Sequence, residues 1–180
     1  MELKDKLIEL AIRQGASSAA VIDVDEIAFR LEFRDACAMN SCGKYGRCWM
    51  CPPDVGDVRE MIEEAKGYQS AFVYQSIGKL EDSFDIEGMQ VAAKAHNHLA
   101  QALFTQVKPL LRHPLRLAAG ACQVCGRCAR MDDLPCRHPE QAIPSLEAYG
   151  IAVSELAQSC GMNYINGQNT VTYFGAFLYT

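Results

Sequence analysis

The sequence predicts an α+β fold: one mixed sheet of about five strands packed with helices, built as a single domain over residues 1–180. Three observations point there. Apolar residues at helical spacing alternate along the chain with short runs of β-branched and aromatic residues. Glycine or proline punctuates the joins between these segments. An apolar fraction of 49% in 180 residues is enough for one core, while the length suits a single domain.

Residues 2–14 place Leu3, Leu7, Leu10 and Ala11 on one helical stripe, with Gly15 as the expected C-cap. SAAVIDV and IAFRLEF then read as strands, the second alternating Ile27, Phe29, Leu31 and Phe33 on one face. A thiol-rich loop follows. Beyond Pro52-Pro53, DVREMIEEAK reads as a helix ended by glycine, and SAFVYQSI as a strand. Met89, Ala92, Leu99, Leu103, Val107 and Leu110 set out a long helix from Ile86 to Leu111. LRLAA is a short strand leading into a second thiol-rich loop, SLEAY and VSELAQSC read as helical, and NTVTYFGAFLY closes the chain as a strand. Both cysteine loops are thus expected to leave strand ends.

Composition excludes several function classes. The formal net charge is −5 and basic residues are interspersed with acids, which argues against a phosphate-tracking surface and hence against nucleic acid as partner. No apolar run reaches the roughly 18 residues that a membrane span needs. The opening MELKDKLIEL lacks the basic-then-apolar layout of a secretory signal, so a cytoplasmic protein is the expectation. In that reducing compartment, nine cysteines indicate metal ligands or redox thiols rather than structural disulfides.

Eight of the nine fall into two groups of four, Cys37, Cys42, Cys48 and Cys51 in loop 37–51, and Cys122, Cys125, Cys128 and Cys136 in loop 122–136. The second group opens CQVCGRC, a C-x2-C-x2-C run. A single Zn²⁺ usually takes thiol pairs from two separate places, whereas a cuboidal cluster offers a separate iron to each thiolate, and this run is the ligand pattern of bacterial ferredoxin-type clusters. In two-cluster ferredoxins the fourth cysteine serves the other cluster, so whether Cys136 ligates its own loop's cluster stays open. The first group, C-x4-C-x5-C-x2-C, suits a second cluster or a zinc site. A thioredoxin-like role for its CWMC pair is disfavoured, because Pro52-Pro53 imposes extended backbone where such a pair needs a helix.

Gly43, Gly46 and Gly126 leave room for backbone N–H groups to approach sulfur. Lys44 and Arg47 in the first loop, and Arg127, Arg130 and Arg137 around the second, are candidate counter-charges for thiolates, with Asp132 and Asp133 diluting the second set. The loops are poor in aliphatic residues. Ordering backbone costs about 1–2 kcal/mol per residue, and metal binding worth roughly 10–16 kcal/mol in small zinc sites offsets such a cost.

The boxes CAMNSCGKYGRCWMCPP and GACQVCGRCARMDDLPCRHPEQAIPSLEAYGIAV, followed by a closing strand, resemble the family of predicted metal-binding proteins catalogued as domain of unknown function 2284. The resemblance covers nearly the whole chain. It implies metal or iron–sulfur binding through the eight cysteines, with no general reaction attached, and leaves the role of His138 open.

Other residues point less directly to chemistry. His96 and His98 are two apart on a helix and face different ways, which reads as solvated or capping histidines. Cys160, before Gly161, reads as a small buried hydrophobe. Glu60, Glu63 and Glu64 read as a wet helix face. The functional expectation is an iron–sulfur protein holding two [4Fe-4S] clusters, working in electron transfer with a redox protein partner or as accessory to a redox enzyme. A zinc-stabilised protein-interaction module is the alternative, and an enzyme using one cluster with an open iron a further one.

Overall fold

Ser70–Lys79 (β2) and Thr170–Tyr179 (β4) are the two long strands of the computed structural model, which describes residues 2–180, Met1 lying outside them. They pair antiparallel along their whole length, Ser70 opposite Tyr179 and Lys79 opposite Thr170. Ser18–Asp23 (β1) flanks β2, and Leu115–Leu117 (β3) flanks β4. The sheet therefore has four strands in the order β1-β2-β4-β3, all antiparallel, in place of the mixed sheet of about five.

Side chains alternate across this sheet and each face builds its own core. Phe72, Tyr74 and Phe177 point to one face, where they meet Leu7 and Ala11 of α1 (Leu3–Arg13) and Leu99, Leu103 and Val107 of α4 (Ile86–Val107). Ala71, Val73, Phe174, Ala176 and Leu178 point to the other. There they pack under Met61 and Ala65 of α3 (Val58–Lys66), Leu156 and Ala157 of α5 (Val153–Ser159), and a 3₁₀ turn at Glu147–Tyr149. The helix over α4 stops a turn before Leu111 because Pro109 has no N–H to continue it, and Leu110 and Leu111 both fold back onto the carbonyl of Val107.

The expected strand IAFRLEF does not form. Ala28–Arg30 is extended but pairs outside the sheet, with Phe29 bridging Ile151, Arg30 N–H donating to Gly150 O at 2.6 Å and Ala152 N–H to Ala28 O at 2.9 Å. Glu32–Ala38 is then a helix, α2, so the first cysteine loop follows a helix and Cys37 lies within it. Two acids in its first turn and alanines at 36 and 38 favour that outcome, and Phe33 and Cys37 share a face at i, i+4 as well as Ile27 and Phe29 alternate in a strand. SLEAY is only the short 3₁₀ turn, closed by Gly150 at φ +68°, where a side chain would crowd Ile62 and the Arg30 carbonyl.

Two long excursions leave the sheet, residues 24–69 between β1 and β2 and residues 118–169 between β3 and β4. Their pairing at Phe29–Ile151 brings the cysteine boxes together on one side of the molecule. Among the described residues no helix is long and apolar enough to cross a membrane.

Candidate metal centre

The first box begins on α2 and then winds through tight turns. Asn40 (φ +54°), Gly43 and Gly46 take left-handed backbone, Tyr45 N–H donates to the Asn40 side chain at 3.0 Å, and Gly46 N–H donates to Pro52 O at 2.8 Å. These turns fold Cys48–Cys51 back beneath Cys37. Arg34, one helical turn before Cys37, fixes the helix by donating to Gly56 O at 2.5 Å and Ala148 O at 3.0 Å.

The second box departs from β3, as the sequence suggests. Ala118 N–H donates to Pro144 O and Leu146 N–H to Ala118 O, each at 3.0 Å, so the two ends of the excursion are held side by side. Across the boxes, Arg130 reaches Asp54 at 2.8 Å and lies 5.2 Å from the Trp49 ring, while Trp49 Nε1 donates to Leu134 O at 2.8 Å. The loops are thus clamped by polar contacts as well as by proximity.

Two adjoining cavities result, and they do not divide the thiols four and four. Cys37, Cys42 and Cys51 line a cavity of about 300 Å³ with Tyr45, Pro52 and Glu147. Cys48 lines the other, smaller cavity with Cys122, Cys125, Cys128 and Cys136, joined there by His138. Met50 is common to both walls. Among the described residues no three Cys, His, Asp or Glu side chains converge on a single point at metal-ligand distance.

Near Cys48 stand the thiols of Cys51 and Cys128 and the backbone N–H groups of Met50 and Cys122, which lower its pKa to about 6 against the opposing effect of burial. Its neighbour Cys51 holds its proton, pushed up by the contact with Cys48 and by burial. Burial raises Cys122, opposed by the N–H groups of Val124 and Ile143. At the first cavity burial raises Cys37, the Arg34 guanidinium pulls it down, and Cys42 and Glu147 push it up. Glu147 itself is raised by burial.

These features fit a thiolate-bound metal group. Five thiols on one cavity exceed the four positions of a single Zn²⁺, and N–H groups directed at sulfur are the contacts that tune iron–sulfur centres. The flanking cations differ from those expected. Arg127 pairs with Asp132, Arg130 with Asp54 and Asp133, and Arg137 donates to Arg127 O, while Lys44 and Arg47 are exposed. The charges felt at the thiols come instead from Arg34 beside Cys37 and the largely buried Arg116 near Cys122. Neither stood inside a cysteine box, although the i−3 spacing of Arg34 from Cys37 on a helix was available to find it. Glu147 was likewise missed, its only signal being a place in the EAYGI segment.

The remaining candidates lie apart from the thiols. His96 is buried on α4 rather than solvated, its Nδ1 2.7 Å from Ser76 Oγ and its ring stacked on Tyr74. Cys160 packs against the core with its thiol pushed up to about 11 by burial and by Glu26. Glu60, Glu63 and Glu64 are exposed, with Glu64 accepting from the Tyr149 hydroxyl at 2.9 Å.

An α+β fold whose two excursions gather eight cysteines defines a cysteine-rich metal-binding protein. Residues 20–179 match the family model described as predicted metal-binding protein (DUF2284), and the chain belongs to that family. Neither the comparison with curated proteins nor that with solved structures gave a match.

Proposed function

We propose that the protein binds two [4Fe-4S] clusters through Cys37, Cys42, Cys48, Cys51, Cys122, Cys125, Cys128 and Cys136, and passes electrons to or from a redox protein, in its own right or as accessory to a redox enzyme. The observation that carries this reading is the pair of adjoining thiol-lined cavities with Met50 on both walls and Cys48 touching Cys51 where they meet. Centres so placed would be close enough to exchange electrons. The C-x2-C-x2-C run supports clusters over single ions in the second cavity. The sheet, α1 and α4 serve as scaffold, and the surface around the boxes is where a partner would approach.

Protein purified without oxygen should be brown and carry about eight irons with acid-labile sulfide, as two four-iron clusters require. Reduction by a low-potential donor followed by reoxidation by a second protein, with no small-molecule substrate, would support the carrier role. Stoichiometric zinc without sulfide would overturn the cluster reading and leave a zinc-stabilised interaction module.

A further inference from the structure

A cavity of about 460 Å³, larger than either thiol cavity, lies between the C-terminal end of α1, β2 and α4, and no cysteine lines it. Ser76 of β2 opens onto it, half-buried. Behind Ser76 stands His96 of α4, 1% exposed, with Nδ1 2.7 Å from Ser76 Oγ. Accepting from the Ser76 hydroxyl assigns the ring's own hydrogen to Nε2, which makes no hydrogen bond of its own. Tyr74 and Tyr173 hold the ring from two sides, so its orientation is fixed. A serine on a cavity wall, bonded to a buried imidazole, has the layout of a nucleophile and its base.

The geometry points to a second chemistry in this chain, separate from the metal centre: Ser76 and His96 carry out acyl transfer from small, neutral esters bound in this cavity. Ser76 Oγ attacks the ester carbonyl while Nδ1 takes its proton, and the departing alkoxide recovers that proton and leaves as the alcohol. Water then repeats the sequence on the acyl-serine and releases the acid. Ser17 Oγ on the same wall already accepts from Ile77 N–H at 3.1 Å, which leaves its own O–H free to donate to the oxygen that gains charge. The lining sets the substrate. It includes no Lys, Arg, Asp or Glu, and His98 is its one titratable side chain, so nothing there selects a charged molecule. Ala92 and Ala95 flank Gly78, where a Cβ would stand 2.5 Å from that of Ala92, so strand and helix meet at that end and the acyl chain must be short. Burial holds the imidazole at about 4, which leaves it unprotonated at neutral pH. A base that weak gives up driving force for proton transfer, and the Phe174 backbone restores part of it by favouring the charged ring.

The test is labelling of the purified full chain with an alkyl fluorophosphonate, read by peptide mass spectrometry. Ser76 Oγ should displace fluoride and form a stable phosphonyl ester, absent from Ser76→Ala. Ala95→Leu, which fills the cavity from an exposed position on α4 and leaves both reacting side chains in place, should slow labelling about tenfold or more. His96→Gln should slow it roughly a hundredfold or more, as loss of a positioned base does. With para-nitrophenyl butyrate, wild type should release more than one equivalent of product per chain beyond the release by Ser76→Ala. The nine thiols are common to both proteins, so their own reaction with the ester cancels in that difference. No adduct at Ser76, or equal labelling of wild type and Ala95→Leu, would overturn the inference. So would a His96→Gln protein that unfolds as cooperatively as wild type and labels at the wild-type rate. An adduct at Ser76 with no turnover beyond that of Ser76→Ala would overturn the assigned acyl transfer.

Discussion

Cys48 lines the second cavity with Cys125 and Cys128 while Cys51, three residues on, lines the first, so the CWMC pair joins a box that follows α2 to one that follows β3. Sequence spacing assigns Cys48 to the first box; the folded chain sets it on the wall of the second cavity.

Cysteine substitutions should separate by cavity. Cys125→Ser removes a thiol from the second cavity and is expected to abolish one cluster's absorption and leave the other. Cys160→Ser should leave both, because that side chain packs on the core near α5 and Glu26. Iron counts and visible spectra of the two variants check this, and an unchanged Cys125→Ser spectrum would remove that residue from the ligand set.

Arg34 is expected to matter for the first box beyond its charge. Its guanidinium satisfies the carbonyls of Gly56 and Ala148 and so pins α2 between the two excursions. Arg34→Leu leaves those carbonyls without their partner and should cost about 2 kcal/mol, mostly from the part-buried bond to Ala148 O, since water can replace the exposed one to Gly56 O. Hydrogen exchange should quicken first at residues 32–42, with the amides of β2 and β4 protected as before.

Metal removal should act in the same places. The buried clusters on the two faces of the sheet draw on β2, β4, α1, α3, α4 and α5, and include no thiol of the second box. Anaerobic chelation is therefore expected to raise exchange throughout 37–51 and 120–142 and leave the sheet protected. Global loss of protection on chelation would show that metal holds the whole fold together.

Where a segment's own periodicity matched its surroundings, the sequence was a good guide. The stripes of α1, α3 and α4 and the alternation of β2 and β4 are local patterns, and all five elements form. IAFRLEF failed because its alternation is compatible with two outcomes, and what decided between them was a partner far along the chain, Gly150–Ala152, which takes the backbone bonds of Ala28 and Arg30. The cysteine boxes were legible as candidate metal sites for the same local reason, their spacing. How the thiols divide between cavities depends on how two excursions meet, and so do the roles of Arg34, Arg116 and Glu147. None of these is written in any short window.

His96 supplies the last expectation, for pH. It is fully buried on α4, with Nδ1 2.7 Å from Ser76 Oγ, its ring stacked on Tyr74 at 5.4 Å and tilted against Tyr173 at 5.8 Å. Burial holds its pKa down at about 4, below the ordinary 6.5. The folded state thus keeps the imidazole neutral where the unfolded chain binds a proton. Stability from this group is fully present above pH 6.5 and is lost as pH falls toward 4. At 1.36 kcal/mol per pKa unit, about 2 kcal/mol should go between pH 7 and pH 4.5. His96→Gln removes the titrating ring while both proteins keep the same cysteine boxes, so acid effects on bound metal cancel in the difference between them. Urea unfolding at the two pH values should show wild type losing about 2 kcal/mol more than the variant; equal losses would mean that His96 does not titrate between them.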